Sequence, residues 1–279
     1  MFKVKKELQK RSIVLAFEDL SYKVGNEKIL DTVSHELYKG CFYSIAGCNG
    51  SGKTTLLQSL LQIKKPSSGK IFLPEEIENK AHYFSYVPQN TLLEFDFTVE
   101  EVVMMGRYPY YSGITGPSKE DKQKVKEALQ LTDIENLRHR SVITLSGGER
   151  QRTIIARALA QDTPIMFLDE PVSQLDVYHQ IEVLKLLREI ADTQNKTVVT
   201  VLHDLNQVSE FTDHVMVMDE GKIVANGTPT EVLSPALLKE VFRVNAEWVC
   251  SEDMKPHLIF HYQSKKKTDR RLDNRLLDH

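Results

Sequence analysis

The chain has 279 residues, 41% of them hydrophobic and 27% charged, with a formal net charge of -3 at pH 7. That composition allows a sizeable core and argues against both a wholly disordered chain and a protein built to coat nucleic acid. Three widely spaced cysteines, Cys41, Cys48 and Cys250, form neither a disulfide framework nor a metal-ligand pattern, and no apolar run approaches the roughly 18 residues of a membrane span. In chain order, residues 13–20 are apolar and partly alternating, as in a strand. Residues 41–46 form a short apolar run closing on Gly47 and read as a buried strand, followed by a helical pattern over 52–62. Further strands are expected at 70–73 and 82–87. From about 92 to 160 the texture turns helical, most clearly at 99–106 and 119–131, which reads as a helical insertion. Strand signals return at 165–168, 197–202 and 214–218 with helical stretches between, implying parallel strands with crossover helices. Residues 1–262 are expected to form one domain, and the polar, charge-mixed tail 263–279 to be disordered.

Two segments carry chemistry on their own terms. Gly47-Cys48-Asn49-Gly50-Ser51-Gly52-Lys53-Thr54, continued by Thr55, matches the Walker A pattern between a strand and a helix. Glycines let backbone N–H groups curl towards phosphates, and the helix N-terminus adds partial positive charge. Lys53 can reach the β- and γ-phosphates, and Thr54 can ligate Mg²⁺. The thiol of Cys48, beside Lys53 in that loop, is expected to be reactive when nucleotide is absent. The second segment is the apolar run 165–168 ending in Asp169 and Glu170. It is expected to lie beside the phosphate-loop strand. Asp169 then meets Thr54 to hold Mg²⁺, while Glu170 orients and deprotonates a water.

A third stretch, Leu145-Ser146-Gly147-Gly148-Glu149-Arg150-Gln151, resembles the signature of ABC proteins, and other family motifs follow the same order. Gln89 resembles the Q-loop glutamine. Ser173-Gln174-Leu175-Asp176 resembles the D-loop, although Ala is usual where Gln174 stands. His203 resembles the switch histidine. The resemblance spans roughly residues 13–245. It implies an α/β fold of the P-loop NTPase class: a cassette with a mixed, mainly parallel core sheet, an N-terminal antiparallel β subdomain and a helical subdomain at about 92–160. It further implies an ATPase binding ATP and Mg²⁺. Ser146, Gly147 and Gly148 would close on the γ-phosphate of a second copy in a head-to-tail dimer, with Asp176 crossing the seam. Gln89 would approach Mg²⁺ and the water, and His203 would contact the γ-phosphate. The family usually stacks adenine on an aromatic residue where Val24 stands here, so either Tyr22, the nearest aromatic, swings in or the base is held by weaker apolar contact.

Met105-Gly106-Arg107-Tyr108-Pro109-Tyr110 and the run from Asp219 to Pro229 resemble the importers of ferric siderophores, haem and cobalamin. The first segment also reads as a helix end stopped by Gly106 and Pro109. The importer resemblance implies a peripheral subunit at the cytoplasmic face of the membrane, held by an integral permease that works with a substrate-binding protein. The rival is a soluble ABC ATPase without a permease, such as an iron–sulfur assembly factor. No nucleic-acid partner is expected.

Overall fold

A computed structural model describes residues 11–74, 77, 79–91, 95–111, 116–250 and 256–261. The 263–279 tail lies outside them. Strands β1 (Ile13–Val24) and β2 (Glu27–Tyr38) form a long antiparallel hairpin, with β4 (Ser68–Phe72) on the other edge of β1. The main sheet combines β3 (Phe42–Gly47), β5 (Phe84–Val87), β6 (Ile165–Leu168), β7 (Thr197–Val201), β8 (His214–Asp219) and β9 (Lys222–Gly227). Its order is β5-β6-β7-β3-β8-β9, parallel except for the antiparallel β8–β9 pair at one edge.

Strand β6 is not beside β3, contrary to the expectation from sequence. Strand β7 pairs with both and lies between them. Two wholly apolar strands look alike to a local pattern, and which of them neighbours β3 is settled by tertiary packing.

The central strands are buried on both faces. Along β3, Phe42 and Ala46 join one core cluster while Tyr43 and Ile45 join the other, as the two-residue period of a strand requires. The first cluster is capped by helices α2 (Val99–Met104), α3 (Lys119–Leu131), α4 (Gly147–Ala160) and α5 (Val177–Gln194). The second lies between the sheet, helix α1 (Lys53–Leu60) and the antiparallel strands. Short helices α6 (Leu205–Phe211), α7 (Pro229–Val232) and α8 (Pro235–Val241) and the hairpin β10 (Asn245–Cys250)–β11 (Pro256–His261) complete the described chain.

Between β5 and β6 the described elements are helical. Helix α2 starts at a capping box, in which Thr98 and Glu101 satisfy each other's backbone N–H, and α3 starts the same way with Ser118 and Asp121. Gly106 does not simply stop α2: the chain tightens into a 3₁₀ turn over Met105–Tyr110. A Cβ at Gly106 would lie 2.1 Å from the carbonyl oxygen of Arg157, so the glycine lets this turn touch the backbone of α4.

The antiparallel sheet is stitched to the phosphate loop by backbone atoms. Gly221 N donates to Ser51 O at 3.1 Å, and Asp31 N donates to Gly221 O at 2.9 Å. The carbonyl of Ile29 fits against Gly52 and Gly221, where a Cβ would meet it at 2.8 and 2.6 Å.

Candidate functional site

The sheet order explains the site. Adjacent strands β5, β6, β7 and β3 all point their C-terminal ends the same way, and each end carries one expected functional segment: Gln89 after β5, Asp169–Glu170 after β6, His203 after β7 and the loop 47–54 after β3. Motifs far apart in sequence meet because parallel strands must deliver their ends to one edge.

In the phosphate loop Gly47 and Gly52 have φ of +149° and +100°. A Cβ at Gly47 would meet the Met218 carbonyl oxygen at 2.2 Å. Lys53 is buried, and its Nζ donates to the Gly47 and Cys48 carbonyls at 2.9 Å each. Burial lowers its pKa, against the opposing pull of Glu170, Cys48 and Asp169. Buried Ser51 Oγ has no hydrogen-bond partner among the described residues. An orphaned hydroxyl beside a lysine bonded only to its own loop is what an anion seat would present. Cys48 is only half-buried, but its Sγ donates to the Val241 carbonyl at 3.1 Å, a bond that uses the thiol proton and disfavours the reactive-thiol expectation.

The acidic strand end reaches the loop across β7. Thr54 Oγ1 donates to Asp169 Oδ1 at 3.1 Å. Asp169 is buried, and burial raises its pKa, with the Thr54 hydrogen bond opposing. These oxygens suit a hard cation. Glu170 turns the chain through a left-handed conformation, φ +50°. Its carboxylate is then held on both sides: Gln89 Nε2 donates to Oε2 at 2.6 Å, and His203 Nε2 lies 2.6 Å from Oε1.

Ser146 caps α4. Its hydroxyl accepts from Glu149 N at 3.3 Å, and Glu149 Oε2 accepts from Ser146 N at 2.8 Å. The Ser146 backbone N–H, first among several contacts, holds the Glu149 carboxyl below its usual range. Asp176 caps α5, accepting from His179 N at 3.0 Å, and also lies 2.8 Å from His179 Nδ1. His179 was not anticipated. Its ring closes against Gly148, where a Cβ would lie 2.4 Å from Cδ2. The spacing Asp-x-x-His at a helix start was the only available signal.

Tyr22 is partly buried against the second core cluster with Lys64 Nζ 5.5 Å from its ring centre, whereas Val24 is 58% exposed. In the segment 105–110, Arg107 is not at the surface. It is buried, with Nε donating to Asp121 Oδ1 at 2.9 Å, Nη1 donating to the Ala160 carbonyl at 2.8 Å, and its guanidinium over Tyr110. Tyr108 is exposed at 58% and lines a groove of about 520 Å³ with Leu61, Ile63, Tyr86, Met105 and Arg157.

The profile of the family described as ABC transporter matches residues 30–173. The ferric enterobactin transport ATP-binding protein FepC of Escherichia coli is 40% identical over 81% of this chain and 85% of its own length. The petrobactin import ATP-binding protein FpuD of Bacillus anthracis is 40% identical over 82% of this chain and 85% of its own. Among solved structures, a chain from one described as an inward-facing, metal-chelate type ABC transporter superposes with a TM-score of 0.82 at 30% identity, covering 90% of this chain and 99% of that one.

Proposed function

This chain belongs to the ABC transporter family as an ATP-binding, ATP-hydrolysing subunit, and we propose that it powers uptake of an iron-siderophore, haem or cobalamin-type substrate through a separate membrane permease. The names of the relatives and the importer-like segment 105–110 support that cargo class. Among the described residues no helix is long and apolar enough to cross a membrane, and the relatives named as ATP-binding proteins of transport and import systems support a peripheral subunit held by the permease at the cytoplasmic face. The groove lined by Tyr108 and Tyr86 lies next to the Gln89 strand and is a fitting seat for a permease segment. A substrate-binding protein would deliver the cargo from the far side.

The observation that carries the mechanism is the convergence of Gln89 and His203 on Glu170, beside the Thr54–Asp169 pair. ATP would draw Lys53 from the Gly47 and Cys48 carbonyls to its phosphates, with Ser51 and the backbone of 47–55 completing the cradle and the base resting against Tyr22 and Val24. Thr54, Asp169 and Gln89 fit Mg²⁺, which when bound neutralises phosphate charge. With Gln89 on one oxygen and His203 at the other, the Glu170 carboxylate is held in a fixed orientation. A γ-phosphate that attracts His203 and Gln89 would free it to accept a proton from the attacking water. Ser146, Gly147 and Gly148 would close on the γ-phosphate of a second copy, head to tail, with Asp176 at the seam.

Glu170→Gln tests this reading. The amide keeps size and some hydrogen bonding but takes no proton at neutral pH. ATP binding should persist while steady-state hydrolysis falls on the order of 100-fold or more. Turnover near the unmodified rate would remove Glu170 from the role.

A further inference from the structure

Gln174 stands where the family usually has alanine, and its longer side chain has a partner. Gln174 Nε2 donates to Asn90 Oδ1 at 2.8 Å, joining the D-loop to the residue that follows Gln89. The rest of the D-loop is also held by its own chain. Ser173 Oγ donates to the Glu170 carbonyl at 3.1 Å, and Leu175 Cδ2 would lie 3.7 Å from a Cβ at Gly147. Asp176 holds His179 against Gly148. Alanine ends at Cβ and could not span to Asn90.

We propose that Gln174 is a positioning residue, whose bond to Asn90 ties the D-loop to the Q-loop of the same chain and holds it back from the partner copy. ATP-driven closure breaks the bond before the D-loop crosses to the partner copy. The inference rests on the head-to-tail reading above. An interaction made in only one of two states biases the equilibrium towards that state. For a neutral hydrogen bond between exposed amides the bias is about two- to ten-fold.

The experiment measures ATP occlusion against ATP concentration in chains carrying Glu170→Gln. Gln174→Ala should lower the half-saturating ATP by about two- to ten-fold. Gln174→Leu, which keeps the bulk and loses the amide, should do the same, as should Asn90→Ala. Combining Gln174→Ala with Asn90→Ala should add nothing further, because both remove one bond. Nucleotide affinity measured in chains carrying Ser146→Arg, which form no intact composite site, should stay unchanged. A role confined to folding would instead weaken that affinity and lower Tm. Unchanged half-saturation, or additive effects of the pair, overturns the tether. Mixing Lys53→Ala with Ser146→Arg chains judges the head-to-tail reading separately. Recovered occlusion there with no effect of Gln174→Ala sinks the tether alone, and no recovery takes the tether down with the reading.

Discussion

Glu170 occupies a left-handed backbone conformation that costs a non-glycine residue about 1–3 kcal/mol. Ser173 bonds back to its carbonyl, and the turn aims its carboxylate between Gln89 and His203. Such strain persists only where surrounding contacts over-determine it. Cys48 shows the opposite case, a residue whose contacts run against its sequence setting. Its neighbours suggest an activated thiolate, but the sulfur donates to Val241. Cys48 should therefore alkylate several-fold more slowly than exposed Cys250 in nucleotide-free protein. Mass spectrometry after brief iodoacetamide treatment reads both sites, and faster labelling at Cys48 would restore the reactive-thiol view. At this scale the sequence discloses which residue types stand in motif order, because glycine, lysine and carboxylate spacing follows phosphate chemistry. It does not disclose their engagements: the Glu170 clamp joins residues 81 positions apart, and nothing local records that distance.

The elements were legible where one period dominates. The 119–131 helix and the 165–168 strand fall where the pattern put them, since α3 has an apolar stripe with a capping box and β6 is apolar throughout. Strand β9 was missed because it is an edge strand of alternating exposure, bounded by Gly221 and Gly227, that looks like a loop. The hairpin β10–β11 carries few buried residues and gives an equally weak signal. Gly106 shows how one residue can support two readings: a helix stop by rule, and by geometry the point where two segments touch. Gly106→Ala should force its methyl against the Arg157 carbonyl and destabilise the fold by about 1–3 kcal/mol. Urea unfolding would register the loss as a lower midpoint at unchanged slope. Nucleotide affinity at the phosphate loop should be unaffected, because that loop is built on β3 and α1; an unshifted midpoint would show that the seam yields freely.

For the whole molecule, one chain carries two proposed anion sites, the phosphate loop and the N-terminus of α4 at Ser146–Gly148, and they belong to different elements of the fold. If each signature serves the other copy's ATP, two crippled chains should rescue one another. Lys53→Ala disables its own loop, and Ser146→Arg sets a bulky cation where the γ-phosphate docks. Each alone forms only dead composite sites, whereas the mixed dimer contains one intact pair and should regain one site's worth of ATP occlusion. Mixed dimers that form but occlude nothing would rule against the head-to-tail arrangement. The stitching of Asp31, Gly221 and Ser51 bears on how such a dimer could work. Backbone hydrogen bonds join three segments, with the Ile29 carbonyl set directly against Gly52 and Gly221, so there is little room there to absorb a shift. The antiparallel sheet, the phosphate loop and the β8–β9 turn therefore form a stator. If nucleotide displaces any part of the fold, the proposed permease seat at Tyr108, on the side held by Arg107 and Asp121, would have to follow it as the rotor.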